Sequence, residues 1–173
     1  MADGAAEPAR DEAIDWFEQL RDPLRRYLLC SGANHADAEE AVQEAFLRLH
    51  QHLRNNGERS NLQGWIFQVA RNFIRDQQKS ARNQKTVPLD PSMDRADSGG
   101  SPETAALRQE RARRLRGAVE KLPAQQRECM LLRSAGLRYR EIAQVLGINT
   151  NSVGALVQRA VAKLALELTG ELS

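Results

Sequence analysis

Strand-forming sequence is nearly absent from this 173-residue chain, and aromatic residues make up only 5% of it. Ala, Leu, Arg, Gln and Glu dominate instead and recur at helical spacing, so the expected fold class is all-α. Cysteine is as scarce. Cys30 and Cys129 stand far apart with no C-x-x-C pair, which argues against a zinc site or a disulfide scaffold and leaves both as small core residues. His50 and His52 are two apart, on different sides of a helix, and His35 falls on an expected loop, so no metal site is expected. A Gly-rich phosphate loop and a nucleophile–base pair are missing, and with them any expectation of catalytic residues or a cofactor. No apolar run reaches the roughly 18 residues of a membrane span, and the start MADGAAEPARDEA is polar and acidic, unlike a signal peptide. No membrane insertion and a cytoplasmic location are expected.

What the chain does have is concentrated between Gly136 and Leu164. Ile142, Val145 and Leu146 lie one turn apart with Ala143 beside them, and Gly147 ends that short helix. Asn149 suits an N-cap, and Val153, Leu156, Val157, Ala160 and Leu164 form the apolar stripe of a second helix. Its other side shows Asn151, Ala155, Gln158 and Ala162, flanked by Ser152 and Arg159. Two helices joined by a short turn, the second presenting small and hydrogen-bonding groups, make a helix-turn-helix that fits a DNA major groove. An ordinary helical hairpin would share the same apolar pattern.

The net charge of +2 conceals an alternation: −6 over residues 1–53, +5 over 54–85, −2 over 86–102 and +5 over 103–173. The basic blocks suit a nucleic acid and the first acidic block a protein partner. Residues 1–12 read as disordered, Pro23 as a break between two helical pieces, and Asp37 as the start of a helix with Glu40 at capping-box spacing. Ala38, Val42, Ala45, Phe46, Leu49 and Leu53 form the buried stripe of that helix, opposite Glu40, Gln43, Glu44 and Leu47. After a polar loop at 54–61, Trp65, Ile66, Val69, Ala70, Phe73 and Ile74 form an inner face, and Gln68, Arg71, Asn72, Arg75 and Lys79 an outer, basic one. Residues 85–102, with three prolines and Gly99-Gly100, read as a flexible linker between a helical domain at 13–84 and another at 103–173. In the second, Leu107, Leu115, Val119 and Leu122 are expected inside a helix at 103–121, and Pro123 opens the next.

Both halves resemble the bacterial sigma-70 family, specifically the two-domain extracytoplasmic-function type. Asp37-Ala-Glu-Glu-Ala-Val-Gln-Glu-Ala-Phe-Leu-Arg48 looks like the core-binding helix of region 2, and Gly64-Trp-Ile-Phe-Gln-Val-Ala-Arg-Asn72 like its −10-reading helix. Leu122-Pro123, Arg127, Leu132, Gly136, Glu141-Ile-Ala143, Leu146-Gly-Ile148 and Val153 fall at the spacings of region 4.

The resemblance implies an RNA polymerase sigma factor with no catalytic centre of its own. Glu40, Gln43, Glu44 and Leu47 would dock on the clamp coiled coil of core polymerase, with the flap as a second contact. Asn72 would line the pocket for a flipped −10 base under the 54–61 loop. Arg71, Arg75 and Lys79 would hold phosphates, and Gln68 would share that face. Asn151, Ser152, Gln158 and Arg159 would read the −35 element, with Arg138 and Arg140 on phosphates. Promoter DNA, core polymerase and, as a common family arrangement, an anti-sigma protein between the two halves are the implied partners. Association with the nucleoid through polymerase follows. Arg138 replaces the capping Ser common in the family, which predicts loss of the reciprocal cap with Glu141, and Gly154 and Leu156 replace often polar positions, which predicts a weaker −35 grip. The competing reading from the residues is a stand-alone, dimeric helix-turn-helix repressor or activator.

Overall fold

The structure, a computed structural model, describes residue 4, residues 6–82 and residues 100–170. Among these residues the helices are α1 (Ala6–Cys30), α2 (His35–Arg54), α3 (Leu62–Arg82), α4 (Pro102–Glu120), α5 (Ala124–Ser134), α6 (Tyr139–Leu146) and α7 (Thr150–Gly170), with no strand. The all-α expectation is met. Most of the expected linker, residues 85–99, lies outside the described residues.

Helix α1 corrects two expectations. Residues 6–12 are helical rather than disordered, because Ala9 and Ala13 extend the stripe of Leu20, Leu24, Tyr27 and Leu28 by two turns and are buried with it. Pro23 lies inside α1 and does not divide it. A mid-helix proline costs about 3 kcal/mol or more, but Leu20 and Leu24 on either side are buried in one core, and tertiary packing of an apolar face outweighs that local cost. Ile14, expected on the apolar face, is exposed, whereas Trp16 and Phe17 pack against the core.

Helix α2 starts one turn earlier than its acidic run suggests. Asn34 is the N-cap: its Oδ1 accepts the Asp37 backbone N–H at 2.8 Å, and its Nδ2 donates to Asp37 Oδ2 at 2.9 Å. The reciprocal pair is therefore Asn34 with Asp37, not Asp37 with Glu40, since Asn is as good a cap as Asp and sits where the chain is still extended. The expected stripe of α2 is buried in full. Cys30, at the end of α1, is exposed rather than buried, whereas Cys129 is buried as expected.

In the second half, Ser101 caps α4 and Pro102 occupies its first turn. Leu107 and Leu115 are exposed, against expectation; α4 buries only Ala118, which joins Leu122, Ala160 and Leu164 in a small cluster. Pro123 opens α5. Arg127 Nη2 donates to the carbonyls of Glu120 and Leu122 at 2.8 and 3.1 Å, tying α5 to the end of α4.

The two halves do not stand apart. Helix α6 packs against α3, and Leu132, Leu137, Ile142 and Val145 belong to the same apolar core as Leu24, Leu49, Ile66 and Phe67. Gly64 and Phe67 are buried on a side of α3 that the sequence pattern left to solvent, and Leu62 extends its expected inner face.

Gly154 lies inside α7, where a Cβ would meet only Tyr139 Cε2 at 3.8 Å, ordinary van der Waals contact. Gly154→Ala is expected to raise the stability of the chain by about 0.5–1 kcal/mol, read as an increase in melting temperature.

Candidate nucleic-acid interface

Three surfaces carry the residues singled out in the sequence. On α2, Glu40, Gln43 and Leu47 are exposed, Leu47 at 61%, and Glu44 is half-buried and ion-paired with Arg48 at 2.6 Å. Glu39 beside them pairs with Arg25 at 2.6 Å. The buried stripe of α2 thus fixes an acidic strip around one apolar knob, a shape suited to a protein partner of opposite charge.

The second surface is α3 and the loop before it. Asn72, Arg75 and Lys79 are exposed and Gln68 is half-buried, so four of the five expected −10 residues reach solvent. Arg71 does not. Its Nε donates to Glu128 Oε1 at 2.7 Å and its Nη2 to Glu128 Oε2 at 2.9 Å, and its side chain keeps 15% of its exposure. Those hydrogen bonds hold the Arg71 guanidinium above its ordinary pKa despite partial burial. The Tyr27 hydroxyl donates to the same Glu128 oxygen at 3.4 Å, and burial, with the nearby carboxylate adding to it, raises the Tyr27 pKa. Tyr27 also tilts against Phe67, with ring centroids 5.5 Å apart. In this arrangement Arg71 is one arm of a bridge between the halves.

The loop is held from several sides. His52 stacks on Trp65 at 4.7 Å, and its Nε2 lies 2.8 Å from the Glu58 carbonyl. A Cβ on Gly57 would fall about 2.3 Å from the His52 ring, so a side chain there would have to displace His52. Arg59 pairs with Glu12 at 3.2 Å, so the first turns of α1 anchor the loop. Trp65 is thus a stacked, partly buried support rather than an open platform for bases.

The third surface is the helix-turn-helix of α6 and α7. Gly147 ends α6 in the left-handed region at φ 67°, and Asn149 Oδ1 accepts the Ser152 N–H at 2.8 Å to cap α7. Arg138 caps α6 by backbone position alone, but the Glu141 carboxylate still accepts the Arg138 N–H at 2.6 Å. Half of the reciprocal cap expected to be lost is kept; a guanidinium has no acceptor with which to complete it. Val153, Val157, Ala160 and Leu164 are buried, which turns Asn151, Gln158 and Arg159 outward, with Ser152 half-covered. Arg138 and Arg140 are exposed at the start of α6. The structure therefore gathers all six −35 candidates on one module.

Sequence reasoning missed Glu128, Tyr27 and the Asn61–Gln144 side-chain hydrogen bond, all of which act across the halves. One clue was present: Phe67, one turn before Arg71, is an aromatic residue on a face otherwise assigned to solvent.

Residues 16–84 match Sigma-70 region 2, and residues 112–164 match Sigma-70, region 4. The ECF RNA polymerase sigma factor SigL of Mycobacterium tuberculosis is 33% identical over 171 residues, covering 95% of this chain and 92% of SigL. The chain belongs to the extracytoplasmic-function sigma factors. The stand-alone regulator is not favoured, since both sigma regions match in order. This sigma factor is also 30% identical to EcfG of Rhodopseudomonas palustris, over 91% of its own length and 86% of that relative. It is 33% identical to BldN of Streptomyces coelicolor, of which it spans 57%. Among solved structures, the sigma factor RpoE from Bartonella quintana, in complex with the anti-sigma factor NepR, matches with a TM-score of 0.69 at 22% identity, over 92% of this chain and 98% of that one. CnrH, in complex with the cytosolic domain of CnrY, matches with a TM-score of 0.65 at 23% identity, over 98% and 95%. Both likenesses concern the fold. No described helix of this sigma factor is long and apolar enough to cross a membrane, and no cluster of metal-binding side chains occurs among the described residues.

Burial, with the Glu128 charge adding to it, pushes the Cys129 thiol up to about 11. At pH 8 only about one Cys129 in a thousand is the reactive thiolate. Iodoacetamide at that pH should modify exposed Cys30 and spare Cys129, whose labelling rate should climb roughly tenfold per pH unit toward pH 10. Equal adducts at both cysteines by mass spectrometry would contradict the burial of Cys129.

Proposed function

We propose that this sigma factor binds core RNA polymerase through the α2 strip of Glu40, Gln43, Glu44 and Leu47, and reads promoter DNA with α3 and α7. The observation that carries this reading is a single chain presenting three separate exposed surfaces of matching chemistry: acidic and apolar on α2, cationic on α3, and small and polar on α7. Melting of the −10 element needs a group that holds one base outside the stack. Asn72, exposed on α3, would hydrogen-bond such a base, and Arg75 and Lys79, exposed on the same helix, would continue along the backbone path. Gln68 lines the same face.

On the −35 side, Asn151, Ser152, Gln158 and Arg159 approach base edges from the N-terminal part of α7, and Arg138 and Arg140 hold phosphates. The flap of core polymerase is a second contact, and an anti-sigma protein is the expected regulatory partner. The chain supplies no catalytic groups and no cofactor; polymerase performs the chemistry. It works in the cytoplasm, where polymerase and the nucleoid are.

Core polymerase supplemented with this protein should initiate at a defined set of promoters, found by sequencing the transcripts made in vitro; absence of co-purification with core would refute the assignment. Leu47→Asp should abolish co-purification while leaving the melting temperature within about 2 °C, because the site is exposed and the fold does not depend on it. Asn72→Ala should lower open-complex formation about tenfold and closed-complex binding less than twofold, the loss expected of one hydrogen bond to a flipped base. Equal losses in both complexes would remove the base-pocket role.

A further inference from the structure

The surfaces assigned to the two promoter elements lie too close together to be used at once. This step rests on the sigma-factor reading above. Elements named −10 and −35 are about 25 base pairs apart, roughly 85 Å of duplex at 3.4 Å per pair. Helix α3 packs on α6 and α6 on α7, which leaves the two reading helices about two helix diameters apart, roughly 20 Å. The halves must separate before both can be engaged.

Besides the apolar packing of α6 on α3, separation breaks a polar contact on the DNA-binding cation. Glu128 and Arg71 are 57 residues apart in the chain, on α5 and α3, so their bridge exists only when the halves are together. The carboxylate presents two oxygens to the guanidinium fork in the geometry a phosphate would use, and one fork cannot serve both. Tyr27, Ser31, Arg75 and Gln78 line the same cleft, of about 250 Å³, and Arg75 stays exposed. Asn61, at the end of the −10 loop, donates through its side chain to Gln144 of α6, a second polar tie across the seam. Both ties use residues at the −10 surface.

We propose that Glu128 is an internal phosphate mimic that latches the closed chain: it occupies Arg71 until −10 DNA displaces it. Carboxylate and DNA backbone are then mutually exclusive ligands of one guanidinium, and the closed form is autoinhibited at the −10 surface while the α2 strip and the α7 face remain open.

The test uses the full chain in a Cys30→Ser background, with dyes on Ser80→Cys and Lys163→Cys for energy transfer between the halves. A fluorescent oligo(dT) 12-mer at low salt serves as the phosphate-bearing probe, measured on undyed protein. Glu128→Gln should lower the transfer efficiency and tighten oligo(dT) binding about tenfold, the gain expected when a competent state of about 10% population becomes dominant. Arg71→Gln should lower the transfer equally but give no tightening, and the Glu128→Gln/Arg71→Gln double variant should bind like Arg71→Gln. The latch is overturned if Glu128→Gln leaves transfer and affinity unchanged, or if its tightening survives in the double variant. Should Glu128→Gln fail to fold by circular dichroism, Glu128→Asp supplies the comparison, with changes in the same directions. Co-purification with core polymerase is scored separately: binding to core with no effect of Glu128→Gln rejects the latch and leaves the sigma-factor reading intact, and the converse rejects only that reading.

Discussion

Helix α3 is packed on two sides, and most of the architecture follows from that constraint. It packs against α1 and α2 on one side and against α6 on another, with Ile66, Phe67, Ala70 and Ile74 buried. A helix carrying exposed cations on its remaining side can hold this position only if the cation nearest the seam finds a partner. An unpaired guanidinium placed there would cost several kcal/mol, whereas a carboxylate with matched geometry offsets the desolvation. Glu128 meets that requirement, and Tyr27 supplies a third polar atom at the same spot.

Local periodicity made the elements legible, and long-range contact decided what was missed. The α2 stripe, the turn at Gly147, the Asn149 cap and the buried side of α7 follow from spacings within one or two turns, and the structure keeps all of them. The misplaced features depend on partners far along the chain. Phe67 is buried and tilts against Tyr27 of α1, Ala9 and Ala13 are covered by tertiary packing, and Arg71 is claimed by a glutamate 57 residues away. Leu107 and Leu115 failed in the other direction: apolar type suggested burial, but their spacing of eight, with arginines throughout the same segment, never built a stripe that a neighbour could cover.

The departures from the family pattern have local accommodations. Arg138 sacrifices a side-chain cap, yet Glu141 still takes the Arg138 backbone N–H just before α6. Gly154 faces Tyr139, whose ring also receives the Arg133 guanidinium at 5.8 Å, so the small residue sits beside an aromatic–cation pair at the junction of α6 and α7. Leu156 packs against the core, in keeping with its place in the apolar stripe.

Helix α4 has a consequence of a different kind. Its last turns are fastened by Ala118, by the Leu122 that follows, and by a Lys121–Glu167 ion pair, but from Pro102 to Arg116 nearly every side chain is exposed. A stretch of about fifteen residues with so little tertiary cover sits at the edge of what a helix sustains in water. Its backbone amides should therefore exchange with deuterium sooner than those of the other described helices, unwinding from the Ser101 end while the helix-turn-helix beside it stays closed.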